Sequence, residues 1–245
     1  MMSDQEKLRP VRRMLTGVLV FQLVLALVLF LGDLGRDFVW PGGGPAAPAF
    51  DQPTRPGDQT RRYDPTMPAS PGTEIDGPMP DRLVLQPLDG NRALLTGRIE
   101  AGDGERIVTQ IATSSASQIV LHSPGGSVTD ALSIGRALRD AGKTTTVRAR
   151  DVCLSACPYM LAAGTERVVE SGGRVGVHQH FFGENTFLPA FLAVQDIQRG
   201  QGEVMRYLDE MGIDPMMMTH GLSTPPNSIY ILTEEELAEY GMVTD

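Results

Sequence analysis

An apolar run near the N-terminus is the feature that most limits how this chain can fold. Residues 14–31 read MLTGVLVFQLVLALVLFL, with Thr16 and Gln22 as the only polar interruptions. At a rise of about 1.5 Å per residue, a helix of this length approaches the ~30 Å hydrocarbon core of a bilayer. The alternatives are a buried core helix and a cleaved signal peptide, whose apolar region is shorter and ends at small residues. The run therefore predicts an uncleaved membrane anchor in contact with the lipid bilayer.

The charges around this run predict its orientation. The first 13 residues carry four Lys or Arg side chains, whereas Arg36 is the only base directly after the run. Positive charge beside a span is retained in the cytoplasm. Residues 1–13 are accordingly predicted to be a cytoplasmic tail. The body of the chain is then expected outside the cytoplasm, which in a Gram-negative cell means an inner-membrane protein with a periplasmic domain.

The next segment, residues 32–81, differs in composition from the rest of the chain. It is rich in Pro, Gly, Asp and Thr and nearly free of branched apolar residues. Such a segment cannot bury enough surface to offset the entropy that ordering would remove. We predict a disordered linker here. Residues 82–245, roughly 165 in number, are long enough to form one domain with its own hydrophobic core.

Charge and periodicity narrow the class of that domain. The formal net charge of the chain is −9 at pH 7, and an acidic domain repels phosphate backbones, so nucleic acid is not an expected partner. Short apolar runs such as QIVLH at 118–122 and RVGVH at 174–178 alternate with helical patterns. A helix over 128–141 is ended by Gly142, and Thr233 opens another with a capping box. This alternation predicts an α/β domain with parallel strands.

Three segments carry groups that could do chemistry. Residues 122–127, HSPGGS, place two glycines before a helix, where backbone N–H groups can stabilise an oxyanion, although Pro-Gly-Gly is also an ordinary turn. Ser155 lies between a short strand and a helix start, which suits either a nucleophile or a helix cap, and the Gly-x-Ser-x-Gly pattern is absent. His178 ends a strand, and with Ser155 upstream it is a candidate general base.

Taken together, the three segments resemble the Clp protease proteolytic subunit family. That family has Ser-Pro-Gly-Gly before a helix, a strand–Ser–helix segment ending in Ala-Gly, and a strand ending in His-Gln. Residues 123–155 follow this pattern without a gap, and EYGMV at 239–243 also matches. The chain is most similar to extracytoplasmic, membrane-tethered relatives with a Cys-x-Ser-x-Cys signature. The resemblance implies a ClpP/crotonase-type ββα spiral domain.

The resemblance also implies roles for individual residues. Ser155 would be the nucleophile and His178 the general base. The backbone N–H groups of Gly126 and Ala156 would form the oxyanion hole. No metal and no cofactor are implied, and the expected substrate is a peptide or an unfolded protein segment.

Two departures from the family pattern affect what can be transferred. The family's catalytic Asp position holds Ile229, and Asn227 is the nearby amide that could orient His178, although it stabilises an imidazolium less than a carboxylate does. Loss of the acid alone can lower the rate by about 10⁴-fold. The segment at 191–211 is shortened and altered relative to the family's ring-forming helix. A homo-oligomer is left open, but neither the family's ring nor its ATPase partner is transferred.

The only two cysteines, Cys153 and Cys157, flank Ser155 symmetrically. They could form a disulfide that clips the nucleophile turn, or they could be two small buried thiols that pack it. A metal site would need two further ligands, so none is predicted. His122 and His220 have no evident partner and are interpreted as structural.

Three functions are compatible with these residues. The leading hypothesis is a membrane-anchored, extracytoplasmic serine endopeptidase that acts through Ser155 and His178, with possible assistance from Asn227. The rival is a catalytically weak or inactive scaffold that binds extended peptides in the same groove, which the missing Asp favours. The third, an acyl-CoA enzyme of the crotonase fold, fits poorly. Such an enzyme stabilises an enolate with a pair of N–H groups, and that chemistry leaves the Ser–His pair of this chain unexplained.

Overall fold

The computed structural model describes residues 4–37, 60–63, 79–180 and 190–244. The chain divides into two compact units, Met1–Ala46 and Ala47–Asp245. In the first unit, the described residues form one long helix, α1 (Asp4–Asp37). The described side chains of α1, at positions 12–28, are exposed.

The structure corrects the predicted membrane anchor. A bilayer span requires about 20 predominantly apolar residues in one helix. Among the residues that the structure describes, no helix meets the combined demand of length and apolar character that crossing a membrane imposes. The anchor predicted at residues 14–31 is therefore wrong. The fold class that included a transmembrane helix and the single-pass location with an extracytoplasmic domain are wrong with it.

The second unit is an α/β structure. Its described strands are β1 (Thr60–Arg62), β2 (Val84–Leu88), β3 (Arg92–Thr96), β4 (Gln118–His122), β5 (Thr144–Val147), β6 (Val152–Leu154), β7 (Arg167–Val169), β8 (Arg174–Val177) and β9 (Ser228–Ile231). Its described helices are α2 (Asp103–Thr113), α3 (Val128–Asp140), α4 (Cys157–Ala162), α5 (Ala190–Glu210), α6 (Met218–Ser223) and α7 (Glu234–Glu239), with a 3₁₀ turn at Pro215–Met217.

The strands form two mixed sheets. Within the described residues, one sheet has the order β2-β3-β4-β5-β7 and the other β1-β9-β8-β6. In the first sheet β2 and β3 are antiparallel, and the pairs from β3 onward are parallel. In the second sheet β6 and β8 are parallel, while β9 runs antiparallel to both β8 and β1.

Capping and close packing explain where key helices begin and how they sit. The Ser127 hydroxyl accepts a hydrogen bond from the Asp130 N–H at 3.4 Å and starts α3. The predicted capping box at Thr233 is confirmed, because Thr233 and Glu236 each accept the other's backbone N–H. On the buried face of α3, a Cβ added to Gly135 would lie 1.9 Å from the Tyr207 hydroxyl oxygen of α5. Glycine at that position lets the two helices approach.

The core lies between the sheets and these helices. Its largest buried aromatic residues, Tyr159 of α4 and Tyr207 of α5, are joined by a 2.7 Å hydrogen bond from the Tyr207 hydroxyl to the Tyr159 carbonyl. Apolar side chains of the parallel strands and of α2 and α3 fill the rest: Leu95, Ile107, Ile111, Ile119, Leu121, Ile134 and Leu138. This packing fixes α4 directly behind the end of β6.

A short part of the predicted linker belongs to the fold. Residues 60–62 form β1 at the edge of the second sheet, where Arg61 pairs with Ile229 of β9. The predicted linker at 38–59 and 64–78 lies outside the described residues. The structure therefore places one piece of the 32–81 segment against the domain.

Candidate active site

Two neighbouring parallel strands bring Ser155 and His178 together. β6 and β8 are in register with Leu154 opposite Gly176, so both strands end at the same edge of the sheet. Ser155 directly follows β6, and His178 directly follows β8. The Ser155 Oγ and the His178 Nε2 lie 2.7 Å apart, within hydrogen-bond distance. The predicted nucleophile and base are thus in contact although 23 residues separate them.

Ser155 occupies a sharp turn between strand and helix. Its φ is +61°, in the left-handed region that non-glycine residues rarely adopt, and it lies between β6 and the start of α4. Its backbone N–H donates to the Gly176 carbonyl at 2.9 Å, which holds the turn against β8. Such a conformation costs about 1–3 kcal/mol and persists where surrounding contacts impose it. The turn has the strand–Ser–helix form that hydrolases use to present a nucleophile.

A disulfide spans this turn. Cys153 and Cys157 are bonded, with their Cα atoms 5.0 Å apart, and both residues are fully buried. In the Gly-x-Ser-x-Gly pattern, small residues occupy the positions two before and two after the serine. Here those positions are joined covalently. The sequence allowed either a disulfide or two free thiols, and the structure has the disulfide. It links the residues two before and two after Ser155.

A glycine loop lies alongside the turn. Ser123 bridges Cys153 in parallel, which places residues 123–127 next to β6. Gly125 and Gly126 have φ of +94° and +139°. A Cβ added to Gly125 would lie 2.5 Å from the Ser155 Cβ, and one added to Gly126 would lie 2.0 Å from the Ile99 carbonyl oxygen. Only glycine satisfies both the backbone conformation and the close approach at these two positions.

The predicted oxyanion donors are positioned by this loop and the turn. In the described part of the chain, neither the Gly126 N–H nor the Ala156 N–H donates a hydrogen bond to another backbone carbonyl. The Ala156 nitrogen lies close to the loop, because a Cβ on Gly125 would lie 2.8 Å from it. The role of Gly126 and Ala156 as an oxyanion hole stays a prediction, and their placement is compatible with it.

The second ring nitrogen of His178 finds no orienting partner among the residues that the structure describes. Within the described residues, the buried Nδ1 atom has no hydrogen bond. Asn227 is exposed; its side-chain oxygen lies 3.5 Å from the Ser228 hydroxyl, and its backbone carbonyl accepts from the Tyr63 N–H. The structure therefore does not join the predicted orienting residue Asn227 to His178.

The position across the sheet from His178 is apolar. The β8–β9 pairing sets Val177 opposite Tyr230, and continuing this register by one residue sets His178 opposite Ile229. The Ile229 side chain is fully buried in an apolar cluster with Val152 and Leu154. The side chain across the sheet from His178 therefore supports packing and offers no acceptor to Nδ1.

Burial lowers the proton affinity of His178. Removal of the ring from water, together with the nearby His180, lowers the pKa of His178 from 6.5 to about 4. His180 is itself held by the Tyr159 hydroxyl, 2.7 Å from its Nε2. At neutral pH His178 is therefore uncharged, which is the state that can accept a proton from Ser155.

This pKa predicts how reactivity at Ser155 depends on pH. A base is active above its pKa and inactive once protonated, so the reaction of Ser155 with an electrophilic probe should persist down to about pH 4. For an ordinary histidine it would already fall near pH 6.5. The measurement is the second-order rate constant for labelling by a fluorophosphonate between pH 3.5 and 8. An acid limb with a midpoint at pH 6 or above would contradict the described environment of His178.

The structure adds Tyr63, a residue that the sequence did not single out. Its ring centroid lies 4.7 Å from that of His178, with the two planes at 46°, and its hydroxyl donates to the Pro124 carbonyl. Tyr63 lies in the Pro-rich segment predicted to be a linker, and no periodicity there distinguishes it. His122, for which the sequence suggested no partner, is buried, and its Nδ1 lies 3.2 Å from both the Val152 N–H and the buried Asp151 carboxylate.

The described residues contain no group of three His, Cys, Asp or Glu side chains that could hold a metal ion. In comparisons with known proteins, no protein-family model matches this chain, and no curated protein matches it significantly.

Proposed function

We propose that this protein is a serine hydrolase that cleaves peptide bonds in extended peptides or unfolded protein segments. The observation that carries the proposal is the 2.7 Å contact between the Ser155 Oγ and the His178 Nε2. It occurs on a left-handed strand–Ser–helix turn beside two glycines in positive-φ conformations. A serine that merely capped α4 would need neither a neutral histidine on its hydroxyl nor this backbone conformation.

The geometry supports a two-step acyl transfer. The His178 Nε2 accepts the Ser155 hydroxyl proton as Oγ attacks the carbonyl carbon of the substrate. The Gly126 and Ala156 N–H groups would stabilise the negative charge on the carbonyl oxygen. The protonated His178 then donates its proton to the leaving amine, and a water molecule activated by His178 hydrolyses the acyl-enzyme. The lowered pKa of His178 favours the return of that proton.

The choice of peptides as substrates rests on the resemblance to the Clp peptidase pattern. The short β1 segment, which pairs antiparallel with β9, is an intramolecular example of an extended chain on this sheet. Extended peptides bind to sheet edges in this way, through backbone hydrogen bonds.

One observation favours a second candidate function, a peptide-binding scaffold with little or no hydrolytic activity. The Nδ1 of His178 has no hydrogen-bond partner among the described residues, and the position across the sheet holds Ile229. Without a carboxylate, the imidazolium that forms during catalysis is less stabilised. The two functions differ in whether Ser155 reacts.

Covalent labelling of the purified full chain with a fluorophosphonate distinguishes these functions. Wild-type protein should be labelled at Ser155, as located by peptide mass spectrometry, and Ser155→Ala should not be labelled. Ser133→Ala is the matched control, since Ser133 is an exposed serine of α3 and should leave labelling unchanged. Absence of labelling above the Ser155→Ala background would rule out the hydrolase and leave the scaffold.

A further inference from the structure

The imidazole of His178, at the end of β8, contacts the ring of Tyr63, which lies in a distant segment of the chain. The two rings lie 4.7 Å apart between centroids, and Tyr63 is half-buried. The same aromatic side chain packs against the apolar cluster of Val152, Leu154 and Ile229. Tyr63 thus contacts both His178 and the apolar cluster that contains Ile229.

Two hydrogen bonds hold Tyr63 in this place. Its backbone N–H donates to the Asn227 carbonyl at 3.0 Å, continuing the β1–β9 pairing by one residue. Its hydroxyl donates to the Pro124 carbonyl, next to the first glycine of the loop. Tyr63 therefore ties strand β9 to the glycine loop, and its ring lies against that of His178. The Asn227 backbone contributes to the site through Tyr63, although its side chain does not reach His178.

His178 needs such a support. In a Ser–His–Asp site, the carboxylate binds Nδ1–H and fixes the ring so that Nε2 faces the serine. Here Nδ1 has no partner in the described chain, so no hydrogen bond on that side restrains rotation of the ring. Steric contact with a neighbouring ring restrains the same rotation. Aromatic pairs at this separation also contribute about 0.5–1.5 kcal/mol beyond the area that they bury.

We infer that Tyr63 is a positioning residue for His178, whose ring keeps the imidazole turned toward Ser155 where no described residue supplies an orienting acid. The inference rests on the proposed hydrolase function of Ser155 and His178. Tyr63 precedes β2 in the chain, outside the parallel strands that carry Ser155 and His178. Its ring supports His178, whereas Ile229 of β9, opposite His178, offers no hydrogen bond.

Removing the ring should have two measurable effects. Tyr63→Ala should slow fluorophosphonate labelling of Ser155 by about 10- to 100-fold, since misplacement of a catalytic group by about 1 Å costs this much. It should also expose His178 to water. The groups that face His178 are the Ser155 hydroxyl, the Tyr63 phenol and His180. With the phenol removed, we expect the His178 titration midpoint to rise from about 4 toward 6.5.

Two companion variants separate the ring from the hydroxyl and from general stability. Tyr63→Phe keeps the ring and loses only the bond to Pro124, so it should retain labelling within about threefold of wild type. Tyr240→Ala removes a ring that packs on His220 and should leave both readouts at Ser155 and His178 unchanged. Labelling rates and NMR titration of the histidine rings are measured on the full chain, and circular dichroism shows that each variant is folded.

The outcomes decide the inference. Slower labelling of Tyr63→Ala with a raised His178 midpoint and rescue in Tyr63→Phe supports it. Labelling of Tyr63→Ala at or above the wild-type rate overturns it and shows that the segment only covers the site. If the wild type does not label at all, the hydrolase proposal fails separately. In that case an unchanged His178 titration in Tyr63→Ala overturns the inference, and a raised midpoint with altered ring ¹⁵N shifts supports the placement of the imidazole by Tyr63.

Discussion

Replacement of His178 by alanine is expected to lower the fluorophosphonate labelling rate of Ser155 by at least about 10³-fold. The hydroxyl of serine is a weak nucleophile until a base removes its proton. His178 is the described base in contact with Ser155 Oγ, at 2.7 Å. Comparison of second-order labelling rate constants for the wild type and His178→Ala at pH 7 tests this directly.

His180→Gln is the matched control for this change. His180 is a neighbouring, half-buried histidine whose Nε2 lies 2.7 Å from the Tyr159 hydroxyl, and glutamine can preserve that hydrogen bond. Its replacement should alter the labelling rate by no more than a few-fold, through the loss of its influence on the pKa of His178. If His178→Ala labels within tenfold of wild type while folded, the contact with Ser155 does not activate the serine.

Substitution of Gly125 by alanine is expected to lower the labelling rate by at least about 10²-fold and to destabilise the fold. The added Cβ would lie 2.5 Å from the Leu154 carbonyl oxygen and 2.5 Å from the Ser155 Cβ, at a φ of +94°. The loop or the turn that carries Ser155 must shift, which would misalign the proposed oxyanion donors, the Gly126 and Ala156 N–H groups, with Ser155. Loss of one such donor lowers the rate by about 10²–10³-fold. Overpacking against backbone adds about 1–3 kcal/mol of destabilisation to the conformational strain.

Gly172→Ala separates steric clash from backbone strain. Gly172 has a φ of +90°, close to that of Gly125, but a Cβ there would meet nothing within 4 Å. It should therefore lose only about 1–2 kcal/mol of unfolding free energy and keep the wild-type labelling rate. Urea unfolding and labelling are measured for both variants. Equal losses of stability in the two, or wild-type labelling in Gly125→Ala, would contradict the close approach of the loop to Ser155.

Local sequence patterns predicted several strands and the residues that could carry chemistry. The apolar runs at 118–122 and 174–178 coincide with β4 and β8, and Thr233 caps α7 as predicted. These features depend on residues within one or two turns of each other, which periodicity and capping rules describe. The same reasoning failed for residues 14–31, where an apolar run was interpreted as a membrane span, a requirement that no helix of the described chain meets.

The sequence by itself determined which groups are available: a serine between two cysteines, a histidine at a predicted strand end and two adjacent glycines. Only the tertiary structure decided their relations. It set the 2.7 Å contact of Ser155 with His178, closed the disulfide, gave the His178 Nδ1 no hydrogen bond from any described residue and brought Tyr63 onto the imidazole. The physical reason is that these relations arise from strand pairing between distant segments. A three-residue edge strand such as β1 is specified by hydrogen bonds to β9 rather than by any pattern of its own.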